Sequence, residues 1–130
     1  RHSSSAASDV YKRQVLPLTP ETTGIMNACF FGMLADGAFI INGGRGPQVD
    51  DDDLLAALDS GKLGGAALDV FAVEPLPQDH PFWTHPKVRV WPHVAAQTNA
   101  TSAAEQVAAA ITAMMDGSEP ANRVDWSRGY

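Results

Sequence analysis

Apolar and polar positions alternate along this chain in blocks that predict short buried strands separated by helices. Val15-Leu16-Pro17-Leu18 reads as the end of a strand. Thr19-Pro20 then reads as a helix N-cap with proline at the first helical position, interrupted at Gly24. Asn27 caps a short helix running to Leu34 that carries Phe30, Phe31, Met33 and Leu34 inward. After the Asp36-Gly37 turn, Ala38-Phe39-Ile40-Ile41 is a continuous apolar run, the mark of a strand buried on both faces. It stops abruptly in Asn42-Gly43-Gly44-Arg45-Gly46-Pro47.

Four acids, Asp50 to Asp53, precede Leu54-Leu55-Ala56-Ala57-Leu58. Negative charge complements a helix N-terminus, so one Asp serves as N-cap and no metal site is assigned. Ser60-Gly61 closes that helix, and Leu63 to Leu68 is the next strand. A polar loop from Gln78 to Pro86 holds His80 and His85, both read as solvent-facing. Val88-Arg89-Val90-Trp91 is a strand ended by Pro92-His93, and Ser102-Ala103-Ala104-Glu105 fits a capping box. The helix behind that box puts Val107, Ile111, Met114 and Met115 on one face and stops at Asp116-Gly117. The tail from Ser118 is irregular, with Val124, Trp126 and Tyr130 as candidate anchors.

Strands alternating with amphipathic helices predict an α/β fold, a Rossmann-like doubly wound parallel sheet. Residues 15–100 are assigned to the sheet domain, and 101–130 to a terminal helix and tail. Residues 1–14 are set apart: a Ser/Ala-rich run leads into Asp9-Val10-Tyr11-Lys12-Arg13-Gln14, which resembles the translation of a transposon-end sequencing adapter. On that expectation the natural reading starts near Val15.

Composition narrows the class of function. The 130 residues are 45% hydrophobic and 18% charged, ordinary for a globular protein, with no apolar run long enough for a membrane span. Net charge is −6. Without residues 1–14, which hold three bases and one acid, six bases and fourteen acids remain, a net of −8. Nothing there suits nucleic acid. The single cysteine, Cys29, has no internal disulfide partner, which points to a reducing, cytoplasmic setting.

Parallel sheets bind ligands outside the carboxyl ends of their strands. The strand ending at Ile41 releases Arg45, the one ending at Leu68 releases Asp69 and Glu74, and the one ending at Trp91 releases His93. Arginine grips a carboxylate with two hydrogen bonds. Histidine donates a proton near neutral pH, and a carboxylate behind it fixes its tautomer and favours the imidazolium. That equipment suits reduction of a 2-oxo acid by hydride plus proton. Taken singly, each residue has a plainer alternative: a surface arginine, a structural histidine, a glutamate capping a turn.

Four ordered motifs sharpen this reading. Leu16-Pro17-Leu18-Thr19-Pro20-Glu21-Thr22, Asn42-Gly43-Gly44-Arg45-Gly46, Leu68-Asp69-Val70-Phe71 with Glu74-Pro75-Leu76-Pro77, and Pro92-His93-Val94-Ala95-Ala96 occur in that order. The set resembles the C-terminal half of the NAD(P)-binding domain of the D-isomer-specific 2-hydroxyacid dehydrogenases. Within that family the Trp83 loop and the ending Val124 to Tyr130 are similar to the glyoxylate/hydroxypyruvate reductase A group.

The resemblance implies that Arg45 grips the substrate, His93 is the acid–base residue and Glu74 its partner. It implies an NADPH or NADH cofactor, with Leu16, Pro17, Leu18 and Thr19 on the adenosine side. Asn42, Gly43, Gly44, Arg45, Asp69, His93, Ala95 and Ala96 would lie toward the nicotinamide. It also implies a small 2-oxo acid substrate, a cytoplasmic homodimer at full length, and a terminal helix that crosses back toward a substrate domain. Phosphoglycerate- and lactate-type dehydrogenases, and a corepressor module without turnover, stay open. Gly43-Gly44 and Trp91 depart from the family pattern, and the chain holds no Gly-x-Gly-x-x-Gly fingerprint. The fingerprint is expected upstream of Val15, which would leave this chain nearly inactive alone.

Overall fold

The computed structural model describes residues 10–127. The Ser/Ala run and Asp9 at one end, and Arg128 to Tyr130 at the other, lie outside them. The chain divides after Ala95 into two compact units. In the first, the order is β1 (Tyr11–Gln14), α1 (Ala28–Gly32), β2 (Ala38–Asn42), α2 (Asp51–Asp59), β3 (Leu63–Leu68) and β4 (Val88–Val90). Short 3-10 turns at Gly46–Gln48 and Pro81–Trp83 interrupt the connections. The second unit is α3 (Ala100–Met115) and an irregular tail.

The four strands form one parallel sheet in the order β1-β2-β3-β4. This is the Rossmann-like alternation expected from the apolar blocks. Register aligns Gln14, Asn42, Leu68 and Val90 in one row. All four strands therefore release their following loops at a common rim.

Underneath that rim, Phe31 from α1 and Leu54 and Leu58 from α2 pack on Ile40, Ala66, Leu68 and Val88, with Phe82 closing the edge. Each such large apolar side chain contributes about 1.5–3 kcal/mol by leaving water. Asp50 caps α2 by accepting from the Asp53 amide at 3.0 Å, with Asp51 to Asp53 in the first turn. Gly61, at φ +80°, follows the Ser60 cap. Asn27 caps α1 as expected.

Several expectations are corrected. Strand β1 lies at Tyr11–Gln14 rather than 15–18, where Pro17 has no N–H to donate and Leu16 and Leu18 are exposed. Edge pairing is made by backbone groups, so the segment set apart by its composition can still supply a strand. Thr19-Pro20 opens a turn, not a helix: the amides of Thr22 and Thr23 both donate to Thr19 O, and Gly24 then takes φ +62°. Met33 points outward because the helix ends at Gly32. Strand β2 is buried on one face only: Ala38, Ile40 and Asn42 are covered, whereas Phe39 is exposed and stacks on Tyr11. The core helices of this unit contribute to the Ile40 side of the sheet.

His80 and His85 are largely covered instead of solvent-facing. Each ring accepts a local amide, from Phe82 and Lys87 respectively, and faces Asp51 or Asp59 on α2. In the second unit the cap is Asn99, three residues before Ser102, whose amide it accepts at 3.1 Å. Val107, Ile111, Met114 and Met115 are exposed there, as are Val124 and Trp126. No helix among the described residues is long and apolar enough to cross a membrane.

One close approach makes a sharp test. A Cβ on Gly46 would lie 1.8 Å from the Phe71 carbonyl carbon, whereas one on Gly32 would meet nothing within 4 Å. Gly46→Ala is expected to cost about 3 kcal/mol or more by overpacking. Gly32→Ala is expected to stabilise by about 0.5–1 kcal/mol through helix propensity and chain entropy. Urea unfolding midpoints of the two variants check both, and a Gly46→Ala midpoint equal to wild type would contradict the packing.

Candidate active site

Asp69 is the first residue beyond β3, and it joins three strand exits. Its backbone N–H donates to Asn42 O at 3.0 Å, which ties it to the end of β2. Its carboxylate accepts from the amides of Val94 and Ala95, both at 2.9 Å, beyond the end of β4. The residue is 8% exposed, and two backbone donors offset the cost of removing its charge from water. Between β4 and this clamp lies His93, held at φ +56°. A non-glycine residue there stores strain of about 1–3 kcal/mol, which the surrounding bonds must sustain.

That conformation turns the His93 ring toward Glu74. Nδ1 stands 2.8 Å from Glu74 Oε2, and Oε1 of the same carboxylate accepts from the Phe71 amide at 2.9 Å. Phe71 is buried, so its loop returns Glu74 to the rim. The hydrogen bond to His93 holds the Glu74 carboxyl below the ordinary glutamate value, with the Phe71 amide adding to it and Arg45 assisting at longer range. An ionised carboxylate only accepts, so Nδ1 must carry the proton it shares, and Nε2 is the ring nitrogen left for other chemistry. The Glu74-Pro75 peptide is cis.

Arg45 comes from the loop after β2. Asn42, 1% exposed, folds that loop: Oδ1 accepts from the Gly44 amide at 3.1 Å and Nδ2 donates to Arg45 O at 3.2 Å. Gln48 Oε1 accepts from the Arg45 amide at 2.9 Å. The Arg45 side chain is exposed, with one guanidinium N–H donating to Gly44 O at 2.8 Å. Gly46 lies against the Phe71–Ala72 peptide, which brings the arginine loop beside the loop that carries Glu74.

The expected cofactor-side residues are distributed around this rim. Gly43 is open, with the nearest neighbours of a Cβ there being Ala95 Cβ at 3.9 Å and Val15 Cγ1 at 4.0 Å. Gly44 is tighter, facing the amides of Gln14 and Gln48. A cavity of about 300 Å³ is bounded by Asn42, Gly43, Asp69, Trp91, Val94 and Ala95. This apolar recess with one carboxylate at its edge fits a flat, partly polar ring. A second recess, about 450 Å³, lies beside Glu74 and His93 and is walled by Phe71, Leu76, Trp83 and Trp91. Leu16 to Leu18 are exposed, whereas Thr19 is buried in its own turn, its amide on Thr22 Oγ1 at 2.8 Å. Ala96 opens the second unit.

Two contributions were not read from the sequence. Asp69 uses both carboxylate oxygens on backbone amides 25 and 26 residues away. Gln48 is fully buried, and its one sequence trace is an amide wedged between Pro47 and the apolar Val49.

Comparisons with known proteins agree with this fold. The profile of the D-isomer specific 2-hydroxyacid dehydrogenase NAD binding domain matches residues 5–95. A glyoxylate/hydroxypyruvate reductase A from Serratia proteamaculans is 53% identical over 116 residues, 89% of this chain and 37% of that protein. A D-isomer specific 2-hydroxyacid dehydrogenase from Xanthobacter autotrophicus, crystallised with NADPH and MES, is 45% identical with a TM-score of 0.92, covering 96% of this chain and 52% of that one. An NADPH-dependent glyoxylate/hydroxypyruvate reductase from Sinorhizobium meliloti, crystallised with NADP and sulfate, is 39% identical with a TM-score of 0.90, covering 96% and 41%. The chain thus spans about 37% of the length of the curated relatives it matches.

The Glu74–His93 bond has a pH signature. A carboxyl whose pKa is depressed by folding contributes stability above its unfolded value, about 4.3, and loses it as pH falls through the lower folded value. Glu74→Gln removes that contribution, so the gap in urea midpoint between wild type and variant is expected to narrow as pH drops through this window. Carbon-detected NMR of the Glu74 carboxyl should give a midpoint below the ordinary glutamate range. A midpoint at or above it would contradict the bond.

Proposed function

The chain belongs to the D-isomer-specific 2-hydroxyacid dehydrogenase family, and we propose on that footing that it carries half the active site of a reductase for glyoxylate or hydroxypyruvate. The observation that supports this most directly is the 2.8 Å pairing of His93 with Glu74 at the rim that also presents Arg45. A nicotinamide cofactor, NADPH or NADH, supplies the hydride that the oxo carbon receives.

In this reading Arg45 uses its planar fork on the substrate carboxylate and neighbouring oxo oxygen, which sets the carbon in place and draws charge toward the oxygen. His93 Nε2 delivers the proton to that oxygen as it becomes a hydroxyl. Glu74 accepts from Nδ1, so the ring keeps one orientation and the positive charge it carries before transfer is stabilised. Gly43 and Ala95 leave room for the nicotinamide, and Asp69 meets its polar edge with the lone pairs the two amides leave over. Asn42 and Gly44 complete that side, and Leu16 to Thr19 take the adenosine end. The full-length protein is assigned to the cytoplasm as a homodimer on the strength of the family resemblance.

The test restores the length the relatives have. Residues 15–130 fused behind the upstream part of the Serratia relative are expected to oxidise NADPH with glyoxylate and hydroxypyruvate. His93→Asn should lower kcat by about 10²–10⁴ with folding unchanged. Arg45→Lys should raise KM, since an ammonium cannot replace the fork. A fusion that binds NADPH but turns over neither substrate would falsify the proposal, and preference for phosphohydroxypyruvate or pyruvate would move it to the phosphoglycerate or lactate type.

A further inference from the structure

Among the described residues of the first unit, Gln48 is the one fully buried polar side chain that the proposed chemistry does not use. It sits in the 3-10 turn Gly46–Gln48, immediately after the arginine loop. Its amide is spent on two different loops. Oε1 accepts from the Arg45 backbone N–H at 2.9 Å and also from the Gln14 side chain. Nε2 donates to Leu16 O at 3.1 Å and to Pro17 O at 3.0 Å. Leu16 and Pro17 lie more than thirty residues away and have exposed side chains, so this tether is a specific restraint on their backbone.

A buried primary amide is tolerated when its donors and acceptor are engaged, and here they are engaged across the gap between two segments. A leucine in that place would fill the space and hold neither loop. We propose that Gln48 is a positioning residue that pins the cofactor-side loop at Leu16–Pro17 to the substrate-side loop at Arg45. This rests on the functional reading above for what the two loops bind, while the pinning itself concerns hydrogen bonds that can be measured separately. Through Gln48 the arginine keeps one backbone setting, and Gly46 against Phe71–Ala72 carries that setting to the Glu74 loop.

Two substitutions in the whole chain separate the arms. Gln48→Met keeps the volume and removes every hydrogen bond. Gln48→Glu keeps an oxygen for Arg45 but loses the donors to Leu16 and Pro17. Amide exchange followed by NMR, referenced to the sheet amide of Ala66, is expected to show Arg45 exchanging at least about tenfold faster in Gln48→Met. In Gln48→Glu, Arg45 should stay protected while the carbonyl resonances of Leu16 and Pro17 shift. An Arg45 rate unchanged in Gln48→Met overturns the proposal. Should that variant fail to fold, loss of Arg45 protection in Gln48→Glu overturns it instead. Oxamate, an analogue of a small 2-oxo acid, tests the other half in the NADPH-loaded fusion described above: it should bind there and bind about tenfold more weakly when the fusion carries Gln48→Met. An NADPH-loaded fusion indifferent to oxamate defeats the substrate reading and leaves the exchange result to decide the pinning.

Discussion

A parallel sheet delivers its loops to one edge but does nothing to fix them there, and in this protein the fixing is done by the Asp69 carboxylate. Its two oxygens each take one backbone amide, from Val94 and Ala95, while its own N–H reaches Asn42 O. Asparagine could not substitute, because its single carbonyl oxygen would have to serve both amides and its NH2 would face a second donor. The clamp lies one residue past His93, so it is what sustains the left-handed backbone there. Without that backbone the imidazole would leave Glu74, and the 2.8 Å bond would go with it.

The rim above the apolar core is therefore built mainly of side chains answering backbone groups. Asn42 folds the glycine loop, Gln48 holds Arg45 and the Leu16–Pro17 carbonyls, and Glu74 takes the Phe71 amide as well as the histidine. No buried side-chain nitrogen or oxygen among the described residues lacks a partner. A network of this kind is stiff when complete and costly when broken, since an orphaned polar group in low dielectric loses its hydration without compensation. That stiffness suits the hydride-transfer site proposed above, where small displacements of reacting groups are expensive.

The parts of the fold legible in the sequence were those governed by local periodicity. The apolar runs located β2, β3 and β4, and the acids before Leu54 located α2 with its Asp50 cap. The strand-end rule brought Arg45, Asp69, Glu74 and His93 to one rim because parallel register leaves no other choice. What stayed hidden depends on partners far along the chain. Nothing near Asp69 announces that its acceptors will be used by Val94 and Ala95, and nothing near Gln48 announces Leu16 and Pro17. His80 and His85 looked polar and exposed by composition, yet each ring answers an amide two residues on and tucks against α2. Edge strand β1 escaped notice because a backbone ladder asks little of its side chains, and Tyr11 and Arg13 face solvent.

Two of the departures from the family pattern, Gly43 and Trp91, fall where this architecture is forgiving, whereas a Cβ on Gly44 would come within 2.8 Å of the Gln14 and Gln48 side-chain amides. Gly43 has open space around it, so the bulkier residue usual there would meet only Ala95 and Val15 at ordinary contact distance. Trp91 joins the sheet through its backbone N–H, which donates to Leu68 O at 2.8 Å whatever side chain it bears. Its indole instead borders both recesses, the one at Asp69 and the one at Glu74 and His93. Changes at Gly43 and Trp91 reshape cavity walls and leave the hydrogen bonds that set His93, Glu74 and Arg45 intact. In the proposed function, substrate preference would then vary through the lining while the acid–base geometry is held by the backbone beneath it. The two acids of the third strand's exit divide along the same line: Asp69, held by two amides, is a fixed part of the frame, and Glu74, more exposed and hydrogen-bonded to the His93 ring, is the part that can respond to a proton.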